Sequence, residues 1–158
     1  LVGGYAGSWL TAHRLPSAVV DSIVATEPDI RLGVALFAVA DSSWCPVALT
    51  ARIVTWLAGQ SAGQCGPCAF GLPATADALN RFALGVGSSI DRDHIVRWLP
   101  MLTGRGACAH PDGVVGLVRA AGESFANHLL DHVNQVPCTA VQATYPWPAL
   151  DIPVAVSA

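Results

Sequence analysis

Two cysteines stand two residues apart in the run Gln60-Ser61-Ala62-Gly63-Gln64-Cys65-Gly66-Pro67-Cys68-Ala69-Phe70-Gly71, and a third, Cys108, closes the small-residue turn Gly104-Arg105-Gly106-Ala107-Cys108. Thiols set among glycine and proline could run dithiol redox chemistry, grip one metal ion or hold an iron–sulfur cluster. A reactive dithiol pair needs a strand leading into it and a helix N-terminus to lower the first thiol's pKa, yet Thr55-Trp56-Leu57-Ala58 continues a helical pattern. Structural zinc wants four Cys or His ligands as two close pairs. Cys65 with Cys68 supplies one pair, and Cys108 with His110 would supply the other as a tight chelate. A cluster is gripped by close thiolates on one turn plus a remote thiolate. The glycines let amides approach the sulfides, and the turn after Pro67 aims N–H groups at an anionic group.

The elements that must position these thiols read as helices. Pro46 suits a first helical position, and Val47, Ile53, Val54, Trp56 and Leu57 form an apolar stripe to about Ala58, stopped by Gly59. One turn is expected after Pro67, then a longer helix from Pro73 to about Leu84, ended by Gly85 and Gly87. A third helix runs from Ser89 or Asp91 to Thr103, with Pro100 as a kink. The fourth carries Val114, Leu117, Val118, Ala121, Phe125, Leu129 and Val133 at a 3.6-residue period, with Asp112 at its cap. Trp56, Phe70, Phe82, Trp98 and Phe125 fall on these stripes and are expected in the core. Before the helices, the apolar run from Arg31 to Ala40 reads as a buried strand. Gly3, Gly4 and Gly7 fit neither a dinucleotide fingerprint nor a P-loop. The predicted fold class is mainly α: a four-helix bundle preceded by the tail of a small β-containing domain.

The chain has 158 residues, 53% hydrophobic and only 12% charged, so it can bury a core without disulfide help and large faces pack against something. A net charge of −3 gives no footprint for nucleic acid. The start at Leu1 carries neither an initiator Met nor a signal-peptide pattern, and is expected to be a cut inside a longer protein. The longest uncharged run, between Arg52 and Asp77, holds Gln60, Gln64, Pro67 and Pro73 and fails as a membrane span. Five cysteines is an odd number, which suits a metal or redox site better than a disulfide framework.

Cys65-Gly66-Pro67-Cys68 is the four-residue pair of thioredoxins, but its surroundings lack the βαβ context. Residues 60–71 more fully resemble the iron–sulfur segment of the FMN- and NADH-binding flavoprotein subunit of NADH:quinone oxidoreductase, respiratory complex I, shared with related hydrogenase and formate dehydrogenase subunits. That segment reads Glu-Ser-Cys-Gly-x-Cys-x-Pro-Cys-Arg-x-Gly with a fourth Cys some forty residues on. Ser61, Gly63, Cys65, Pro67, Cys68 and Gly71 match it, and Cys108 follows Cys68 by 108 − 68 = 40 positions. Gly3-Gly4-Tyr5-Ala6-Gly7 is similar to the Gly-Gly-x-x-Gly of the family's β-grasp-like segment. The departures are Ala62 for the first cluster cysteine, Gln60 for the glutamate and Ala69 for the arginine.

The resemblance implies three regions: residues 1–44 as the C-terminal part of a β-grasp-like (SLBB-type) domain, 45–134 as a helical iron–sulfur-binding domain, and 135–158 as a Pro-rich extended tail. It implies Cys65, Cys68 and Cys108 as ligands of a [4Fe–4S] cluster with a non-cysteine fourth ligand, or of a [3Fe–4S] cluster. His110, Gln60, Gln64 or water stand as candidates for the open corner. FMN and NADH are then expected in an upstream domain, with electrons passing to an iron–sulfur partner subunit. The location is cytoplasmic, peripheral to the inner membrane through a complex, and the chain alone does not turn over. The alternatives are a helical docking module that binds zinc or nothing, and a thioredoxin-like dithiol protein. Cys45 and Cys138 lie a helix length from the other cysteines and read as ordinary thiols. His128 and His132, at i and i+4, read as a polar helix face, and His13 and His94 show no ligand pattern.

Overall fold

A computed structural model describes residues 1–14, 30 and 33–140. The distal part of the expected Pro-rich tail, residues 141–158, lies outside the described residues, as do Arg31 and Leu32 of the expected strand. Among the described residues there are five α-helices: α1 (Pro46–Gly59), α2 (Leu72–Ala83), α3 (Ser89–Leu102), α4 (His110–Ser124) and α5 (Ala126–Val133). The mainly α reading holds. None of these helices is long and apolar enough to cross a membrane.

The central element is α1, which packs chiefly against α2. Pro46 starts it, and the Cys45 thiol caps it by accepting the Ala48 N–H at 3.4 Å. Val47, Leu49, Ala51, Ile53, Val54 and Leu57 are buried, so more than one face is covered. Its two threonines are satisfied within the helix: the Thr50 and Thr55 hydroxyls donate to the carbonyls of Pro46 and Ala51. Asn80 of α2 donates to the Thr55 hydroxyl at 3.0 Å, pinning the register of the pair.

In α2 the residues Leu72, Thr75, Ala76, Leu79 and Phe82 repeat at helical spacing and are buried. The helix ends where Gly85 takes a φ of +73°, a left-handed turn that glycine adopts without strain. The Val86 and Gly87 amides then fold back onto the Arg81 carbonyl. Ser88 and Asp91 form a reciprocal capping box at the start of α3, and Arg81 of α2 donates to Asp91 through Nε at 2.8 Å. Burial alone would raise the Asp91 carboxyl, but the Arg81 and Ser88 hydrogen bonds outweigh it and hold the group below its ordinary 3.8. A depressed folded-state value means stability present at neutral pH and lost as pH falls below about 4. Asp91→Ala should therefore cost about 1–2 kcal/mol at neutral pH. Urea midpoints should converge with the parent's in strong acid; a pH-independent gap would contradict the pairing. The third helix runs through Pro100, which lies on its exposed side.

The predicted fourth helix is two. It breaks at Phe125, which has φ −126° and ψ 30°. Ser124 donates its hydroxyl to the Trp9 carbonyl at 3.0 Å, and the Phe125 ring meets the Trp9 ring edge-on at 5.5 Å. Tertiary contact with the N-terminal segment overrides a continuous 3.6-residue pattern, making the bundle one of five helices rather than four.

That N-terminal segment folds onto the bundle. Leu1, Val2 and Trp9 are buried, and Tyr5 packs edge-on against Trp56 of α1 at 5.3 Å. Gly7 is required by close approach, since a Cβ there would lie 1.9 Å from the Val2 carbonyl. The expected buried strand is not found in its described part. Only isolated bridges pair Val2 with Ser8 and Phe37, and Val34 and Val39 are 79% and 86% exposed. An apolar run becomes a buried strand only when both its faces are covered, and here they are not.

Candidate iron–sulfur site

The three matching cysteines converge at one end of α1. After Gly59 the chain turns through Gly63, at φ +64°, to Cys65. Pro67–Gly71 then form one π-helical turn, closed by the Leu72 amide on the Pro67 carbonyl. Pro73 offers no N–H to the Ala69 carbonyl, and the wider π turn accommodates that gap before α2 continues. Such single π turns occur often at functional sites. Cys68 is 6% exposed within this turn, and Cys65 is half-buried at its mouth.

The loop between α3 and α4 delivers the third thiol. Gly104, at φ +69°, turns the chain and donates its amide to Asp112 at 2.7 Å. Arg119 of α4 reaches the Thr103 hydroxyl at 3.3 Å. These ties set Ala107 and Cys108 beside the Cys65 turn. The Ala107 amide, and then that of Cys68, donate to the Cys65 sulfur and hold its pKa below the ordinary 9.0. Cys68 is pushed up, first by burial and then by the neighbouring Cys65 and Cys108 sulfurs, while Ser61 opposes the rise. Close approach of Gly71 to Leu102 locks the π turn against the end of α3, because a Cβ on Gly71 would lie 2.2 Å from Leu102 Cδ2. Asp112→Ala should release the Cys108 loop, costing about 1 kcal/mol and speeding amide exchange at Gly104; an unchanged exchange rate would show that Asp112 does not hold the loop.

Amides that donate to sulfur suit a thiolate that carries metal. Among the described residues, the group of metal-binding side chains whose ligand atoms all lie within 4.8 Å of one another is a different one. The donor set of three thiols suits a polynuclear cluster, which takes each thiolate on its own iron. His110 Nε2 donates to the Leu57 carbonyl at 2.9 Å, bracing α4 against the end of α1. Ala62, where the resemblance expected a thiol, is exposed. Phe70 is 78% exposed beside the site rather than in the core. The helix α1 precedes Cys65, where a thioredoxin-like dithiol needs a strand.

Cys45 and Cys138 were expected to lie away from these thiols, and α1 does separate Cys45 from Cys65. The i, i+4 spacing of His128 and His132 could bind metal but named no partner, and the structure brings Cys45 and Cys138 to them. Cys45 Sγ lies 3.3 Å from His132 Nε2 and 3.4 Å from His128 Nε2. Cys138 Sγ lies 3.7 Å from His128 Nε2. His132 is 3% exposed, so the polar-face reading does not describe it, while Cys45 is a free, buried thiol. The available signal was His128-x-x-x-His132 followed by Cys138 six positions on.

The family described as the NADH-ubiquinone oxidoreductase-F iron-sulfur binding region matches residues 48–132. The F 2 subunit of the NADH-quinone oxidoreductase of Rhizobium meliloti (strain 1021) is 33% identical over 107 residues, which are 68% of this chain and 25% of that protein. The match thus spans about a quarter of that relative's length.

Proposed function

We propose, from the premise that this chain belongs to the family of the NADH-ubiquinone oxidoreductase-F iron–sulfur binding region, that Cys65, Cys68 and Cys108 ligate a cluster through which the protein relays electrons. The observation that carries this reading is the convergence of the three thiols on a π turn, with the Ala107 amide donating to the Cys65 sulfur. When bound, an iron–sulfur cluster supplies one-electron oxidation and reduction at a potential set by ligand charge, hydrogen bonds to sulfur and burial.

The chain's own residues set those terms. Cys68 in its buried turn excludes water from one side of the site. The Ala107 and Cys68 amides stabilise negative charge on Cys65. Ala62 offers no side-chain donor, so water, hydroxide or a nearby side chain would complete the ligand set of a [4Fe–4S] centre, and a [3Fe–4S] centre would need none. His110 could serve only through Nδ1 while its Nε2 remains on Leu57. Loss of one thiolate charge raises the potential relative to a four-cysteine site.

Kinship with an NADH-quinone oxidoreductase subunit extends the proposal. An upstream domain carrying FMN takes hydride from NADH, and an iron–sulfur partner subunit accepts the electrons. The edge bearing exposed Cys108 and Phe70 is the face for that hand-over. The protein then works in the cytoplasm, at the membrane surface through its complex, and the described region alone catalyses no NADH oxidation. An anaerobic reductive titration tests the relay. The chromophore should bleach reversibly with one electron per chain; failure to accept any electron would overturn the proposal.

A further inference from the structure

The strongest feature outside the proposed cluster is the Cys45–His128–His132–Cys138 group, whose four ligand atoms lie within 4.8 Å of one another. Three elements build it. Cys45 is the N-cap of α1, His128 and His132 occupy one face of α5, and Cys138 comes from the segment that follows α5.

We propose that these four side chains form a second metal centre, a structural Zn2+ site of the Cys2His2 type. Tetrahedral zinc, with zinc–sulfur near 2.3 Å and zinc–nitrogen near 2.0–2.1 Å, sets sulfur–nitrogen separations of about 3.5 Å. The observed separations are 3.3, 3.4 and 3.7 Å. The two imidazole rings stand 5.0 Å apart and tilted, each turning Nε2 toward sulfur.

The surrounding groups prepare the ligands. His132 Nδ1 donates to the Phe82 carbonyl at 2.7 Å, so in the neutral ring Nε2 carries the lone pair that can bind metal. This is the outer hydrogen bond that metal-bound histidines characteristically make. Cys45 accepts the Ala48 amide at the positive end of α1. Burial, ahead of the nearby Cys138 sulfur, pushes the metal-free Cys45 thiol up to about 11, so a bound cation would have to displace its proton. Zinc entering the site releases two thiol protons and leaves a centre of zero net charge, which suits burial of Cys45 and His132. The site borders a cavity of about 800 Å³ lined by His128, His132 and Cys138, which gives the ion a way in.

Other thiol chemistries fit less well. A Rieske-type cluster puts both imidazoles on one iron and both thiolates on another, whereas here His128 approaches both sulfurs. A disulfide would use Cys45 and Cys138 and give the two histidines no role. Four protein ligands leave no open position, so the site is structural rather than catalytic. It would clamp the eight-residue α5, too short to be stable alone, onto the start of α1.

The test uses the full chain with Cys65, Cys68 and Cys108 all replaced by serine, purified with thiols reduced. One zinc per chain is expected. Cobalt in its place should give the intense visible bands of a tetrahedral thiolate site. Adding Cys138→Ser, on a partly exposed residue, should weaken zinc binding by more than the roughly 10–100-fold typical of changes outside the ligand shell. His128→Ala should do the same. In the otherwise unaltered chain, Cys138→Ser should lose zinc and keep iron, whereas Cys68→Ser should lose iron and keep zinc. Absence of zinc and cobalt binding by the reduced chain would overturn the site, as would a Cys45–Cys138 disulfide in the protein as isolated.

Discussion

Cys68→Ser is expected to strip the chain of iron while leaving its helices in place. The residue is 6% exposed inside the π turn, so a hydroxyl of nearly the same size fits the space and helical circular dichroism should be unchanged. What is lost is the thiolate that Cys65 and Cys108 flank. With Ala62 already in place of a fourth cysteine, only two thiolates would remain, and the visible absorbance and bound iron should fall to background. Cys45 caps the far end of α1, a helix of 14 residues and so about 21 Å long, and cannot stand in for the lost thiolate. Iron retained after Cys68→Ser would mean that the cluster ligands are assigned to the wrong residues.

Phe82→Ala should be the most destabilising single change in the bundle, at about 3–5 kcal/mol. The side chain is 0% exposed. It lines an apolar cavity of about 140 Å³ together with Val47, Leu79, Ile95, Leu99 and Val118, so four helices meet around it. Gly87 folds so close that a Cβ there would lie 2.1 Å from the Phe82 ring. Domains of this size carry about 5–15 kcal/mol in all, so the denaturation midpoint should fall steeply with little change in slope. A loss under about 1 kcal/mol would show that the residue is not the keystone of the core. The Phe82 carbonyl also receives the His132 ring, so repacking here should loosen α5 as well.

The three thiols proposed to hold a cluster stand out in the sequence because they sit in short glycine-rich turns that match a family pattern. A tight turn needs Gly66 and Pro67 between two thiols, and the third thiol needs a glycine-rich loop ahead of a helix. Helices α1, α2 and α3 were legible for a similar reason, since caps such as Ser88 with Asp91 and stops such as Gly85 act within a few residues. What was not legible depends on contacts between distant segments. The break at Phe125 comes from Trp9, more than a hundred positions away. The run ending at Ala40 has the composition of a buried strand, but burial depends on what covers it. Phe70 lies on an apolar stripe, yet the π turn rotates it outward. The Cys45–His128–His132–Cys138 group was hidden because Cys45 and His132 are 87 positions apart and meet only when α5 closes over the start of α1.

Whether Cys65, Cys68 and Cys108 hold a cluster is decided by counting iron and acid-labile sulfide in the anaerobically purified chain. Sulfide is expected together with three or four irons per chain, as [3Fe–4S] and [4Fe–4S] centres require, both abolished by replacing the three cysteines. A colourless chain with no iron and no sulfide after reconstitution under reducing conditions would contradict the assignment.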